Sequence, residues 1–349
     1  MLPVSETGKP SGLSTASTDH LDSKRVLIMR YSRLAKYLLL AGLMFFVVSV
    51  FLKIGYYFEP KIDRHTPIDE ELYKVVSPST YKYILNQPSA CEHNPYLVLM
   101  VPVAPGDAAS REAVRNTWGQ RDLVPNLKII KLFFVGVLEG EEGEKSETAI
   151  AEENLNHGDI VMMDFLDSYR NLTVKTMMMM NWIAINCQSA SYAMKIDADI
   201  FLNIYYLINF LPFPATNNYI TGSVINDGMP CRAENSKWYL SKDIYPDSTF
   251  PPYVSGAAYV FSTDLAAKIS LVSRFVRPIP LEDVYVGLCL KILGVRPVYG
   301  RGMFWLRNLF EVRHLNYNRC TFAKLIIVTD FSPTELMKTW PDFQKNHAC

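Results

Sequence analysis

Tyr192-Ala193-Met194-Lys195-Ile196-Asp197-Ala198-Asp199-Ile200-Phe201-Leu202-Asn203 decides how this chain is read. An apolar run that opens a buried strand leads directly into two carboxylates two residues apart. Hard divalent cations such as Mg2+ and Mn2+ prefer oxygen ligands, take only one or two protein carboxylates, and fill their shells with water and substrate phosphates. A nucleotide-diphosphate enzyme needs such an arrangement. Two Asp near a turn can also simply satisfy backbone donors, so the surrounding pattern has to decide.

Working outward, short apolar runs alternate with amphipathic stretches. The spacing predicts strands over 96–103, 127–137, 159–165 and 192–197, with helices over 107–118, 142–156 and 171–187 between them. This βα rhythm argues for an α/β fold with a mostly parallel, Rossmann-like sheet and helices on both faces. In open sheets of that kind, ligands bind beyond the carboxyl ends of the strands, which is where Asp197 and Asp199 fall. No G-x-G-x-x-G and no G-x-x-x-x-G-K is present, so dinucleotide and P-loop chemistry lack their usual support.

The second half continues with a strand over 219–224, another over 252–262 and a helix over 263–273. Ser255-Gly256-Ala257-Ala258 lies inside the second of these strands, where Gly256 allows close approach of a ligand or of packed backbone. Glu282-Asp283 opens a helix that runs to Leu293, as functional acids or as caps of the first turn. A strand over 324–329 and a helix over 333–343 close the chain, and the Met177–Met180 run reads as core packing.

The 349 residues carry 35 Lys plus Arg against 35 Asp plus Glu, and 49% are apolar. That balance supports a packed core and gives no global field to recruit nucleic acid. Residues 1–36 read as a cytosolic tail. Residues 37–58 are about as long and apolar as the roughly 20 residues that a bilayer requires, and read as a transmembrane signal-anchor. Lys24, Arg25, Arg30, Arg33 and Lys36 before this stretch place the N-terminus in the cytosol by the positive-inside rule, so the rest is lumenal. Residues 59–90 then suit a stem, and 91–349 a globular domain. All six cysteines fall on the lumenal side without a C-x-x-C pair, which points to disulfides rather than zinc. Asn171-Leu172-Thr173 is the one glycosylation sequon.

Several stretches together resemble the beta-1,3-galactosyltransferase group of glycosyltransferase family 31. They are Arg111-Glu112-Ala113-Val114-Arg115-Asn116-Thr117-Trp118-Gly119, Asp167 to Thr176, Lys195 to Asn203, Ser236-Lys237-Trp238-Tyr239, Tyr253 to Ser262, Glu282 to Cys289, and Pro333-Thr334-Glu335-Leu336 with Trp340 and Cys349. The resemblance implies a GT-A-type fold in a single-pass type II protein of the Golgi membrane. It implies inverting transfer of galactose from UDP-galactose to a terminal GlcNAc-type acceptor on a glycoprotein or glycolipid, forming a beta-1,3 linkage. Mn2+ or Mg2+ would be held at Asp199 and Asp197. Asp283 would be the base, with Asp197, Glu282, Gly256, Arg111 and Arg115 toward the substrates. Arg111 and Arg115 stand at i and i+4 on one helical face, where they meet either a nucleotide or carboxylates of the fold.

Two positions depart from the family pattern. Val254 stands where relatives usually carry Cys, which implies that Cys289 lacks its usual partner. Thr329 stands where many relatives have a metal-binding His, and a hydroxyl is a weaker ligand than imidazole. His314 is a conceivable substitute. The motifs do not separate UDP-galactose from UDP-GlcNAc as donor, and the two departures keep a catalytically impaired Golgi protein as a further reading.

Overall fold

The computed structural model describes residues 36–37, 40–46, 66–299 and 310–347. The chain divides into two units, Met1–Asp63 and Arg64–Cys349. Of the expected membrane span over 37–58, only residues 37 and 40–46 are described, and they are helical. Among the described residues no helix is long and apolar enough to cross a membrane, which overturns the transmembrane helix placed ahead of the domain. The described residues of that stretch are fewer than the roughly 20 that a span requires.

In the second unit a seven-stranded sheet runs in the order β1 (Tyr83–Leu85), β4 (Ile160–Leu166), β3 (Ile129–Val137), β2 (Leu97–Pro102), β5 (Tyr192–Ile196), β8 (Tyr253–Ser262), β7 (Ile220–Ile225). Its centre is the expected alternation: β2 (Leu97–Pro102), α2 (Ala108–Asn116), β3 (Ile129–Val137), α3 (Gly140–His157), β4 (Ile160–Leu166), α4 (Leu172–Asn186) and β5 (Tyr192–Ile196). β2, β3, β4 and β5 pair in parallel. The flanks differ from the sequence expectation. β1 (Tyr83–Leu85) pairs antiparallel with β4, and β8 (Tyr253–Ser262) pairs antiparallel with both β5 and β7 (Ile220–Ile225). The sheet is therefore mixed rather than mostly parallel. Periodicity gives the strands but not their direction, because a strand buried on both faces reads alike in either sense. The helix α1 (Glu70–Lys74) and β1 lie inside the segment expected as stem.

Alternation along β2 sends Val98 and Met100 into one core and Leu97, Leu99 and Val101 into the other. On the first face lie α4, α6 (Asp264–Val272) and α7 (Glu282–Leu293). Met177 to Met180 are all buried there, as expected of a helix enclosed by protein. On the second face α2 packs with α9 (Pro333–Lys345), whose start carries a reciprocal cap between Ser332 and Glu335. A small sheet completes that side, with β6 (Phe201–Leu202) antiparallel to β10 (Ile327–Val328) and β10 parallel to β9 (Glu311–Val312), the short α8 (Arg319–Phe322) joining the last two.

Cys91 is disulfide-bonded to Cys187, which ties the approach to β2 to the end of α4. Cys320 is also disulfide-bonded, while Cys231 and Cys289 form no disulfide. Val254 is fully buried in β8 and Cys289 is buried in α7, so the thiol stays reduced inside the first core.

Candidate functional site

The end of β5, the middle of β8 and the start of α7 converge around Asp197. The Ile196↔Ala258 register brings the end of β5 alongside β8, and Asp197 donates its backbone N–H to Ala257 O at 3.0 Å. The turn that follows is fixed from both sides. The buried Trp118 indole donates to Ile200 O at 2.7 Å, and Phe331 donates its backbone N–H to Asp199 O at 2.9 Å. Asn203 then caps α5 (Ile204–Phe210) by accepting from Tyr206 N at 3.0 Å.

Lys195 is the hub of the site. It lies in a strand buried throughout, and its Nζ reaches Asp197 Oδ1 at 2.6 Å, Glu282 Oε1 at 3.3 Å and the carbonyl of Gly256. Burial pulls the ammonium down, but the Asp197 and Glu282 carboxylates outweigh it and hold it above the usual lysine range. Glu282 is 6% exposed, and its Oε2 accepts from Thr176 Oγ1 at 3.3 Å and from Tyr259 OH at 3.2 Å. The pair is not symmetric, since Lys195 faces two carboxylates while Glu282 faces one cation with Asp283 and Asp197 nearby. Burial, reinforced by those two acids, pushes Glu282 up to about 7 against the pull of Lys195.

Asp283 stands beside it in the first turn of α7. Its Oδ2 accepts from Gly256 N at 3.1 Å and its Oδ1 from Val284 N at 2.8 Å. Burial raises this carboxyl above the ordinary Asp range, and the two backbone donors oppose the rise. Gly256 is required here by space. A Cβ on it would lie 2.8 Å from Glu282 Oε1 and 3.4 Å from Asp283 Oδ2. Gly287 allows the same close approach further along α7, where a Cβ would meet Tyr253 Cβ at 2.6 Å.

Asp199 stands at the rim with part of its surface open to solvent, and crowding of its carboxyl by the surrounding protein together with the neighbouring Asp197 charge raises its pKa. Across the turn, the buried Thr329 donates its hydroxyl to Asp330 Oδ2 at 2.6 Å, so that oxygen is engaged by its own neighbour. His314 is exposed, with Nδ1 3.2 Å from the same Asp330 oxygen. Among the described residues no group of three or more His, Cys, Asp or Glu side chains is arranged to hold a metal ion. The chemistry of the donors that are present still suits a hard cation. Asp197 and Asp199 offer carboxylate oxygens only, the donor type that such a cation prefers.

Arg111 and Arg115 do not point into this cluster. Arg111 is 1% exposed, bonded to Glu153 at 2.6–3.2 Å and to the carbonyls of Ala104 and Pro105. Arg115 pairs with Asp159 at 2.7 Å and Glu153 at 2.6 Å and stacks over Phe133. Of the two partners that their spacing allowed, the structure gives them carboxylates of the fold. Asn171 lies in the turn before α4 and donates its Nδ2 to Leu166 O, while the sequon hydroxyl of Thr173 is buried and donates to Ile279 O.

Lys195, Thr176, Tyr259 and Asp330 were not singled out by the sequence reading. Lys195 did leave a signal, being the one charged residue in a strand that is otherwise apolar and buried on both faces. Thr176 and Tyr259 gave none, because their meeting with Glu282 depends on how α4, β8 and α7 pack.

Residues 109–300 match the sequence model of the family described as galactosyltransferase. The chain is 42% identical over 275 residues to Beta-1,3-galactosyltransferase 2 of Mus musculus and 41% identical to that of Homo sapiens. Each alignment covers 77% of this chain and 64% of the relative, so the chain spans just under two thirds of these relatives' length. It is 39% identical over 277 residues to Beta-1,3-galactosyltransferase 1 of Mus musculus, covering 78% of this chain and 82% of that protein. With matches of this extent over the stretch that carries Asp197, Asp199, Gly256 and Asp283, the chain belongs to the galactosyltransferase family.

Proposed function

We propose that this chain transfers galactose from UDP-galactose to a hydroxyl of a terminal GlcNAc-type acceptor, with inversion, forming a beta-1,3 linkage. One observation carries the reading. Gly256 uses its N–H to hold Asp283 and its carbonyl to hold Lys195, which in turn holds Asp197, so base and cation-side acid form one rigid unit.

Inversion by one displacement needs a base on the face opposite the leaving diphosphate. Asp283 takes the proton of the acceptor hydroxyl as that oxygen attacks the anomeric carbon. The N–H groups of Gly256 and Val284 aim the carboxylate and favour its ionised form. Glu282 is a positioning residue, since it is buried against Lys195, Thr176 and Tyr259. Lys195 fixes Asp197 and supplies positive charge beneath it. Asp199 and Asp197 would hold Mn2+ or Mg2+, which when bound neutralises the diphosphate as it leaves. The disulfide Cys91–Cys187 supports a site of action in an oxidising compartment of the secretory pathway such as the Golgi.

The test incubates the purified protein with UDP-galactose or UDP-GlcNAc, a GlcNAc-terminated acceptor and Mn2+, and identifies the product linkage by NMR. A beta-1,3-galactosyl product is expected. Transfer from UDP-GlcNAc alone would move the donor assignment, and no transfer from either donor would remove the enzymatic reading.

A further inference from the structure

β3 begins at Ile129, but β4 joins it only at Phe133, opposite Ile160, so the amino-terminal edge of the sheet carries a notch. A cavity of about 330 Å3 opens there, lined by Lys131, Arg121, Lys128, Asp122, Gly119 and Gly158. Strands β2, β3 and β5 start side by side at Leu97, Ile129 and Tyr192, which puts this cavity at the opposite end of the sheet from Asp197 and Asp199. The acid cluster does not reach it.

Beneath the notch lies a buried ionic network whose charges do not balance. Arg111 and Arg115 on α2 and Lys131 on β3 face Glu153 on α3 and Asp159, three cations against two carboxylates, and none of these side chains is more than 16% exposed. The surplus falls on Lys131. Arg115 takes both Asp159 oxygens, at 3.0 Å from Nε and 2.7 Å from Nη2, and leaves the Lys131 ammonium a contact at 3.3 Å. Burial pulls that ammonium below the usual lysine range, the Arg115 and Arg121 charges add to the fall, and Asp159 opposes it without prevailing. Gly119 makes room for the lysine stem, since a Cβ there would lie 2.7 Å from Lys131 Cδ. Toward solvent the excess grows. Among the described residues neither Arg121 nor Lys128 has a carboxylate partner, Lys128 being bonded to the carbonyl of Glu92 at 3.2 Å, and the acid lining the cavity besides Asp159 is the exposed Asp122.

A buried charge without its counter-charge costs stability, so a cation surplus under an open cavity calls for an anion. We infer that this notch is a binding site for a phosphate or sulfate group, held by Lys131 at its floor and by Arg121 and Lys128 at its mouth. A tetrahedral oxyanion suits it by charge and by shape. Its several oxygens accept from an ammonium on one side and a guanidinium fork on another, and its negative charge balances the network below. The site is independent of the transferase reading, because no residue of the acid cluster takes part.

Two measurements test it. Calorimetric titration of the purified protein with inorganic phosphate, inorganic sulfate and N-acetylglucosamine 6-sulfate reports binding and separates a free ion from an ester carried on a sugar. Saturable binding is expected, weakened about tenfold or more in Lys131→Met and less in Arg121→Ala, whose exposed side chain leaves the network intact. If the sugar ester binds as tightly as the free ions, the site takes a glycan-borne group; if only the free ions bind, it takes the ion itself, and either result supports the site. The second measurement is the denaturant midpoint in phosphate against chloride at equal ionic strength, since an anion that binds only the folded state stabilises it by mass action. Phosphate should raise the wild-type midpoint more than that of Lys131→Met, which reports the general salt effect. In chloride, Lys131→Met should be at least as stable as the wild type, because it leaves two cations against two carboxylates. A less stable variant in chloride would overturn the inference, since Asp159 would then suffice as partner for Lys131. Absence of binding, equal affinity in the wild type and Lys131→Met, or an equal response of both midpoints to phosphate would overturn it as well.

Discussion

Gly256 donates its backbone N–H to the Asp283 carboxylate at 3.1 Å, in a space where no side chain fits. The same residue receives Lys195 on its carbonyl, so a strand residue without chemistry of its own sets the position of base and cation together. Substitution Gly256→Ala places a methyl 2.8 Å from Glu282 Oε1 and forces α7 or its acids to shift. We expect kcat to fall about 100-fold or more with a loss of about 1–3 kcal/mol in stability. Kinetics and denaturant unfolding together check this, and full activity in Gly256→Ala would contradict the packing described.

Removing Lys195 exposes the cost of its partners. Lys195→Met leaves the Glu282 and Asp197 carboxylates without their cation, and should destabilise the fold by about 3 kcal/mol. The double variant Lys195→Met with Glu282→Gln should recover part of this loss, because the buried carboxylate is removed with the cation. Additive losses in the double-mutant cycle would mean that the pair is not coupled.

Glu282 predicts a pH signature of its own. Its folded pKa of about 7 lies above the ordinary Glu value of 4.5, so the folded state binds more protons between these two pH values. Stability contributed by this group is therefore greatest below about pH 4.5, is lost as pH rises toward 7, and is flat above. The Glu282→Gln variant should lack this slope, on the order of a few kcal/mol. Denaturant midpoints measured across that window decide the matter, and parallel curves for both proteins would show that Glu282 does not titrate as described.

Cation binding gives a fourth outcome. Thr329 spends its hydroxyl on Asp330, so Mn2+ titrated by electron paramagnetic resonance in the presence of UDP should bind weakly and bind more tightly in Thr329→His. Asp199→Ala should weaken binding about tenfold or more. If neither substitution moves the titration, the acid pair is not the cation site.

Much of the frame was legible before the structure. Tyr192 to Ile196 reads as a buried strand from its apolar run, and Asp197 and Asp199 stand at its carboxyl end as the α/β rhythm requires. Glu282 and Asp283 do open a helix, as first-turn acids should. Strand direction was not legible, because β8 is buried and gives the same pattern whether parallel or antiparallel. Nor were the partners of Arg111 and Arg115, since Glu153 and Asp159 lie about 40 residues away in sequence and meet them only once α2, α3 and the approach to β4 pack. The membrane helix was read from hydropathy and flanking charge, and among the described residues no helix is long and apolar enough to cross a membrane.

The most direct test of the central claim is the Asp283→Asn variant, assayed for transfer and for UDP-galactose binding. Asparagine keeps an oxygen for the Gly256 N–H but cannot take the acceptor proton. The account predicts a kcat lower by about 10³-fold with donor affinity changed by no more than about threefold. Turnover within a few-fold of the wild-type value would contradict it, because the base would then lie elsewhere.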